Sequence, residues 1–291
     1  MSAFAEKTHN AARPLLEVLV CTFEDRLADL ISRLPAPQVG VAYLICHQVP
    51  SGKAFDVAAL SDRDDLRYLR FDDRGLSRNR NHCLRHAVGR ICLIADDDIE
   101  FLPGWAETVL RGFETRRDAT FVTFALVDAS DRPKRAYPPA PVRHDVRSAY
   151  RVISAELAFG LDRVRALGVG FNEHLGIGTL VGIGEENVFL RDLMKQGGDG
   201  WLVPEPIVRN GPSTAGERMM DALDRNQVFS IGAMAFSRRG ALSYLLSVKE
   251  AVRLSLHAGR LTAMPSFFMA FNAGVSHGRQ QSLDQISSLA P

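Results

Sequence analysis

Three consecutive carboxylates, Asp96-Asp97-Asp98, follow directly on the apolar run Ile91 to Ala95. Adjacent carboxylates repel one another unless a cation compensates them, and hard oxygen ligands suit Mg2+ or Mn2+. Such an ion is commonly held by one or two carboxylates together with substrate phosphates. The plain alternative is a solvated acidic turn. A second acidic pair, Glu185-Glu186 in GIGEENVFLRDL, opens a helical pattern after glycines. The helix dipole favours acids there without any function, so the pair gains chemical meaning only beside the Gly-rich loop and the Asp cluster. The segment Gly75-Leu76-Ser77-Arg78-Asn79-Arg80-Asn81 places two arginines near a helix start, where they could meet phosphates or a base, or form a solvated face.

Strand and helix patterns alternate around these residues. Leu15 to Phe23 and Val39 to Cys46 are β-branched-rich apolar runs, separated by a helical pattern at Leu27, Leu30, Ile31 and Leu34. A strand at Leu66 to Phe71 follows, then a helix capped by Ser77 with Cys83, Leu84, Ala87 and Val88 on its apolar face, and a strand at Ile91 to Ala95. With a helix near Trp105 to Phe113 and a strand at Thr120 to Val127, residues up to about 130 predict a doubly wound parallel sheet. Ligands of such sheets lie at the carboxyl ends of the strands, which is where the Asp cluster falls. The proline-rich stretch 131–143 predicts a crossing loop. From Ser154 onward the pattern is strand, short helix, Gly-rich loop, and a helix from Glu185 to Gln196.

The chain has 291 residues, 46% hydrophobic and 24% charged, which matches an ordinary folded protein of about two domains or one large α/β domain. With 35 basic and 34 acidic residues the formal net charge is +1, so no global basic field points to nucleic acid. Cys21, Cys46, Cys83 and Cys92 lack metal-site spacing and read as small core residues in a reducing compartment. Neither a secretory leader nor a spanning helix is expected.

The segment GLSRNRNHCLRHAVGRICLIADDDIEF resembles the part of family 2 glycosyltransferases that runs from a Gly-Leu-Ser-x-x-Arg-Asn helix into a strand and the Asp-x-Asp motif. FNEHLGIGTLVGIGEENVFLRDLMKQGG is similar to the same family's acceptor loop, Glu-Asp type motif and helix, and LEVLVCTFEDR to its first strand and nucleotide loop. The resemblance spans roughly residues 15–215.

It implies an α/β fold of GT-A type, Rossmann-like, with a mostly parallel central sheet flanked by helices and a helical C-terminal extension. The expected division is a tail at 1–14, a catalytic domain at 15–215 and a helical region at 216–291. Within the catalytic domain the nucleotide-binding half is about 15–130 and the acceptor half about 150–215. The activity implied is metal-dependent, inverting transfer of a hexose-like sugar from a nucleotide-diphosphate sugar, most often a UDP-sugar, to a glycan or lipid-linked acceptor, as in polysaccharide biosynthesis. Asp96 would lie near ribose and sugar with Asp97 beside it, and Asp98 would hold Mn2+ or Mg2+. Thr22 and Glu24 fall at the base-contacting loop and Arg80 on the helix arginine. Glu186 takes the place of the general base, with Glu185 next to it, and His174 and Gly184 lie on the acceptor side.

Three positions depart from the family pattern. Cys46-His47-Gln48 stand where an Asp-Asp-Gly-Ser type turn is usual, so His47 and Gln48 are either substitute base contacts or, for His47, a satisfied strand-end histidine. Glu-Glu replaces Glu-Asp. Arg209-Asn210-Gly211 stands where a metal-binding His often follows the last strand, and Asn210 could supply a weaker oxygen ligand. Trp105 and Trp201 are as readily core as sugar platforms, and Arg116-Arg117 and Arg238-Arg239 read as solvated.

Residues 226–281 are helical and apolar, with six Lys/Arg against one acid, Glu250. A helix such as ALSYLLSVKEAVRLSLHAG could lie on anionic lipid, giving a cytoplasmic protein with peripheral contact at the inner face, or pack on the catalytic domain or a partner. Two other functions share the fold: a sugar nucleotidyltransferase, for which CTFEDR is a poor phosphate loop, and a non-catalytic nucleotide- or glycan-binding module.

Overall fold

The computed structural model describes residues 13–210 and 225–288. The expected tail at 1–14, the Gly211 to Thr214 stretch and the 215/216 boundary therefore fall wholly or mostly outside the described residues.

Strands β1 (Leu16–Phe23), β2 (Val41–Gln48), β3 (Leu66–Phe71) and β4 (Ile91–Asp96) form a parallel sheet in the order β3-β2-β1-β4. Their apolar runs are nearly continuous because both faces are covered, and successive side chains serve opposite layers. Leu16, Val18 and Val20 of β1 pack with Leu27 and Leu30 of α1 (Leu27–Arg33) and with Trp105 and Val109 of α4 (Trp105–Glu114). Leu19 and Cys21 face the other way, onto Cys83 and Leu84 of α3 (Leu76–His86). Beyond the short α2 (Ala58–Ser61), this is the βαβ alternation the sequence predicts.

The sheet is not parallel throughout. Between β4 and β6 (Phe121–Val127) lies β8 (Leu157–Gly160), antiparallel to both. The edges of β4 and β6 are buried and need ladder partners, and the fully apolar LAF of β8 supplies them where a polar strand could not. The strand expected from Ser154 begins only at Leu157, because Ser154–Glu156 is a short 3-10 turn whose Ser and Glu side chains are hydrogen-bonded elsewhere. The parallel strand β9 (Gly200–Arg209) joins β6 and carries the short β5 (Glu100–Phe101) and β7 (Val142–Arg143). Its register with β6 shifts around Ala125, opposite Pro206, since prolines cannot donate to the ladder.

After α5 (Val146–Ala149) and α6 (Leu161–Ala166), helix α7 (Glu185–Lys195) lies on the second layer through Phe189, Leu190 and Leu193. Helices α8 (Arg225–Arg239), α9 (Leu242–Leu245), α10 (Ser247–His257) and α11 (Met264–Ser288) have their own core of Val228, Leu254, Phe267, Phe271 and Val275. A Cβ at Gly274 would sit 1.8 Å from the Phe229 carbonyl oxygen, so α8 and α11 touch backbone to backbone. Phe229, Ala233 and Met234 of α8 then close on Leu175, Val181 and Val188. The helical region thus packs on the α/β part of the chain. The single helix expected over 241–259 is broken at Leu246 into α9 and α10.

Candidate active site

The parallel register aligns Thr22 with His47, Phe23 with Gln48 and Cys21 with Asp96, so three strand ends deliver their last side chains to one place. Thr22 Oγ1 donates to Asp97 Oδ2 at 2.9 Å, and Arg26 forms an ion pair with the other Asp97 oxygen. Asp97 is turned inward. Burial, with Asp98 and Asp96 adding to it, pushes its carboxyl up to about 6 against the pull of Arg26 and Thr22. Asp98 is 42% exposed on the cavity wall, and its carboxylate meets Arg26 at 3.3 Å. Asp96 accepts from Ser154 Oγ at 2.9 Å and faces Arg80 at 3.3 Å.

Arg80 is 1% exposed and spans two elements, reaching Asp96 on β4 and Glu185 Oε1 on α7 at 2.7 Å. Burial lowers its pKa, but Glu185, Asp96 and Glu186 outweigh that and hold the guanidinium charged. Helix α3 brings Arg80 there because its start is anchored: Ser77 Oγ donates to the Leu175 carbonyl at 2.7 Å. Ser77 therefore is not the cap; Gly75 occupies that position, since its φ of 112° suits glycine.

Glu185 locks to Arg80, which leaves Glu186 facing the cavity. Burial, with Glu185 beside it, pushes the Glu186 carboxyl well above the ordinary range, against Arg80. A base raised in this way is better matched to a hydroxyl's proton than an ordinary carboxylate. Gly184 caps α7 at φ 86°, and a Cβ there would lie 2.2 Å from Met234 Cε.

A cavity of about 970 Å3 is lined by Thr22, Gln48, Arg80, Asp96, Asp97, Asp98, Gly184, Glu185, Glu186 and Asn210. Glu24, His47 and His174 do not line it. The Glu24 carboxylate accepts from Ser51 N at 3.0 Å and Ser51 Oγ at 2.8 Å, tying two loops together. His47 is fully buried, with Nε2 2.9 Å from the Glu24 carbonyl and Nδ1 2.8 Å from the Tyr68 hydroxyl. A carbonyl only accepts, so Nε2 carries the proton and Nδ1 accepts from Tyr68. Burial, with Arg70 adding to it, pulls the ring below the ordinary histidine value. His47 is the satisfied strand-end histidine, holding the loop at Glu24. His174 is exposed on its loop.

Several lining residues carried no sequence signal of their own. Arg26 lies in the first loop beside the acids it pairs with, and Ser154 orients Asp96 from beyond the proline-rich crossing. Asp73 fixes Gln48, whose Nε2 donates to it at 2.7 Å, and His82 holds the other oxygen at 2.7 Å. Burial raises the Asp73 carboxyl, yet these two hydrogen bonds bring it below its ordinary value. Trp105 is buried core, and Trp201 is flanked by Arg116 and Arg143. Arg238 and Arg239 are exposed, as expected, and also line the open cavity, where Arg238 lies 5.7 Å from the Tyr150 ring centroid.

Among the described residues no group of three or more His, Cys, Asp or Glu surrounds a common cation position. The donor set still fits a divalent ion of the kind that takes one carboxylate and completes its shell with phosphates and water, because the half-exposed Asp98 carboxylate lines the cavity.

Residues 54–167 match the family described as "Glycosyl transferase family 2". No curated protein sequence matches the chain significantly. Among solved structures, S. aureus TarS 1-349 in complex with UDP-GlcNAc aligns at TM-score 0.56 and 12% identity, covering 89% of this chain and 81% of that one. TarS 1-349 in complex with UDP aligns at TM-score 0.52 and 11% identity, covering 82% and 72%. The chain spans 42% of the length of the longer TarS structure, at TM-score 0.53 and 12% identity over 80% of this chain. The resemblance to family 2 glycosyltransferases and the GT-A type fold with its helical C-terminal region are both borne out.

Proposed function

We propose that the chain is a glycosyltransferase that binds a nucleotide-diphosphate sugar, most simply a UDP-sugar, over Thr22, Gln48 and Asp96 and transfers the sugar with inversion to a hydroxyl of a glycan or lipid-linked acceptor. The observation that carries this is that Asp98 and Glu186, far apart in sequence, line one cavity with the strand ends. Similarity to a protein solved with UDP-GlcNAc and with UDP supports the donor class.

In this reading the acceptor oxygen forms a bond to the anomeric carbon while the bond from that carbon to the diphosphate oxygen breaks. The acceptor's proton passes to Glu186, and the diphosphate leaves with the electron pair. Arg80 and Glu185 act as positioning residues, setting the start of α7 so that Glu186 meets the acceptor. Asp98, with Asn210 also on the cavity wall, would hold Mn2+ or Mg2+, which when bound supplies positive charge for the leaving diphosphate.

The exposed apolar residues Leu242, Leu245, Val248, Val252 and Leu256 add peripheral contact with an anionic bilayer at its cytoplasmic face. Among the described residues no helix is long and apolar enough to cross a membrane. Loss of vesicle binding in Leu245→Asp, with activity on a soluble acceptor retained, supports that contact, and unchanged binding removes it.

The testing experiment is a thermal-shift screen with UDP, GDP, CDP and dTDP, each with and without Mn2+, because a ligand that binds only the folded state raises its apparent stability. One nucleotide should stabilise the protein in a metal-dependent way, and the shift should vanish in Asp98→Asn. Glu186→Gln should keep the shift and lose about 10²–10⁴-fold in transfer. A nucleotide shift unaffected by Asp98→Asn, or transfer surviving in Glu186→Gln, would sink the role assignment. A shift with no transfer in the unaltered protein favours the binding module.

A further inference from the structure

The cavity has two chemically different sides. Its floor is acidic: Asp96, Asp97 and Asp98 from β4 and the turn after it, with Glu185 and Glu186 from α7. The side contributed by α8 and α10 carries Arg238, Arg239, Lys249 and Arg253 against one carboxylate, Glu250. Glu250 is committed, accepting from Arg253 Nε at 2.7 Å and facing Arg239 at 3.4 Å. Burial raises its carboxyl, but Arg253 and Arg239 together bring it below the ordinary value. Neither Arg238 nor Lys249 has a carboxylate partner among the described residues, and Arg238 is held only by the Tyr150 ring. The other residues α8 gives to the cavity, Ile231, Met234 and Ala235, are apolar, as is Phe271 of α11 beside them.

A wall that read a neutral sugar would present amides, hydroxyls and an aromatic platform to its hydroxyls. This one offers guanidinium and ammonium donors on an apolar backing, which suits a charged oxygen group. In the function proposed above the donor's diphosphate lies across the cavity, on the side of Asp98. We propose that the α8–α10 wall recognises an anionic group, a phosphate or a carboxylate, on the acceptor. It would thereby select acceptors whose reacting hydroxyl lies near a negative charge. This rests on the cavity being a transferase site, and it adds the acceptor's chemical class to that reading.

The test uses the full chain and titrates five probes by calorimetry: UDP with Mn2+, sn-glycerol 3-phosphate, glycerophosphoglycerol, methyl glucuronoside and neutral methyl glucoside. The proteins compared are the unaltered chain, R238Q/K249Q, and R260Q as an exposed control away from the cavity lining. The unaltered chain should bind at least one anionic probe more tightly than methyl glucoside, and R238Q/K249Q should weaken that binding about tenfold or more. UDP affinity should stay within about twofold and R260Q should match the unaltered chain, given equal melting temperatures. Which anionic probe responds separates phosphate monoester, phosphodiester and carboxylate. An equal loss of UDP binding in R238Q/K249Q would assign the wall to the donor's diphosphate and overturn the inference. So would equal binding of charged and neutral probes while UDP still binds. If no nucleotide binds but an anionic probe remains sensitive to R238Q/K249Q, the transferase reading fails and the anion-binding wall stands.

Discussion

The two sides of the cavity are built to different standards of rigidity. On the floor, three charged groups are each fixed by two partners: Asp96 by Arg80 and Ser154, Asp97 by Thr22 and Arg26, Arg80 by Asp96 and Glu185. These groups sit on strand ends and helix starts of the main core, where low dielectric strengthens each contact and makes any orphaned charge costly. On the α8–α10 side the cations are exposed long side chains on helices that meet the α/β part of the chain through a small cluster around Met234. With the roles proposed above, the difference would separate the task that needs fixed geometry, holding a donor at a reacting distance, from the one that must adapt to a larger acceptor.

The sharpest way to break the comparison is Arg80→Met. It orphans Glu185 beside Asp96, and loss of one partner of a buried ion pair costs about 3–5 kcal/mol, so urea unfolding should show a drop of that order together with lost nucleotide binding. A change below about 1 kcal/mol would mean that the floor is not the rigid side.

Next in size is the pH response. Transfer needs Glu186 ionised, and its folded-state pKa is raised, so activity is absent below that raised value and appears as pH climbs through it. The acid limb of kcat/KM should therefore lie well above the ordinary carboxylate range. It should be lost in Glu186→Gln, whose residual activity should be flat there. An acid limb in the ordinary carboxylate range would remove Glu186 as the base.

Gly184→Ala probes the seam between the two sides. It places a methyl group against Met234 and forces a non-glycine residue to φ 86°, which together cost about 1–3 kcal/mol. Met234→Ala in the same chain should recover the steric part and not the backbone part. Full recovery would show that only the side chain matters there. The smallest effect belongs to Arg253→Gln, which breaks a half-exposed ion pair with Glu250 worth about 1 kcal/mol or less and should leave the melting temperature nearly unchanged.

Much of the floor was legible in the sequence because a parallel strand is written as an apolar run and its carboxyl end as the first polar residues after it. The Asp96 cluster could be placed on that basis alone, Thr22 and Gln48 only through the family resemblance, and Glu185-Glu186 by the glycines that open α7 together with the Asp cluster. His47 was ambiguous, since a strand-end histidine looks the same whether it faces a ligand or, as here, Tyr68 and the Glu24 carbonyl. β8 was hidden as an antiparallel insertion because four residues, three of them buried, carry no direction. The cationic side was the least legible. Helical periodicity shows that α8 and α10 have an apolar face, but not that Arg238 ends up across from Tyr150, which depends on how Gly274 lets α8 and α11 close up.

The cavity's lining residues run from Cys21 to Phe271, so it is completed late in synthesis. At translation rates of about 5–20 residues per second, α8 to α11 emerge on the order of ten seconds after β4. A nascent chain on the ribosome would thus carry its acidic strand-end cluster before the basic helices arrive to face it.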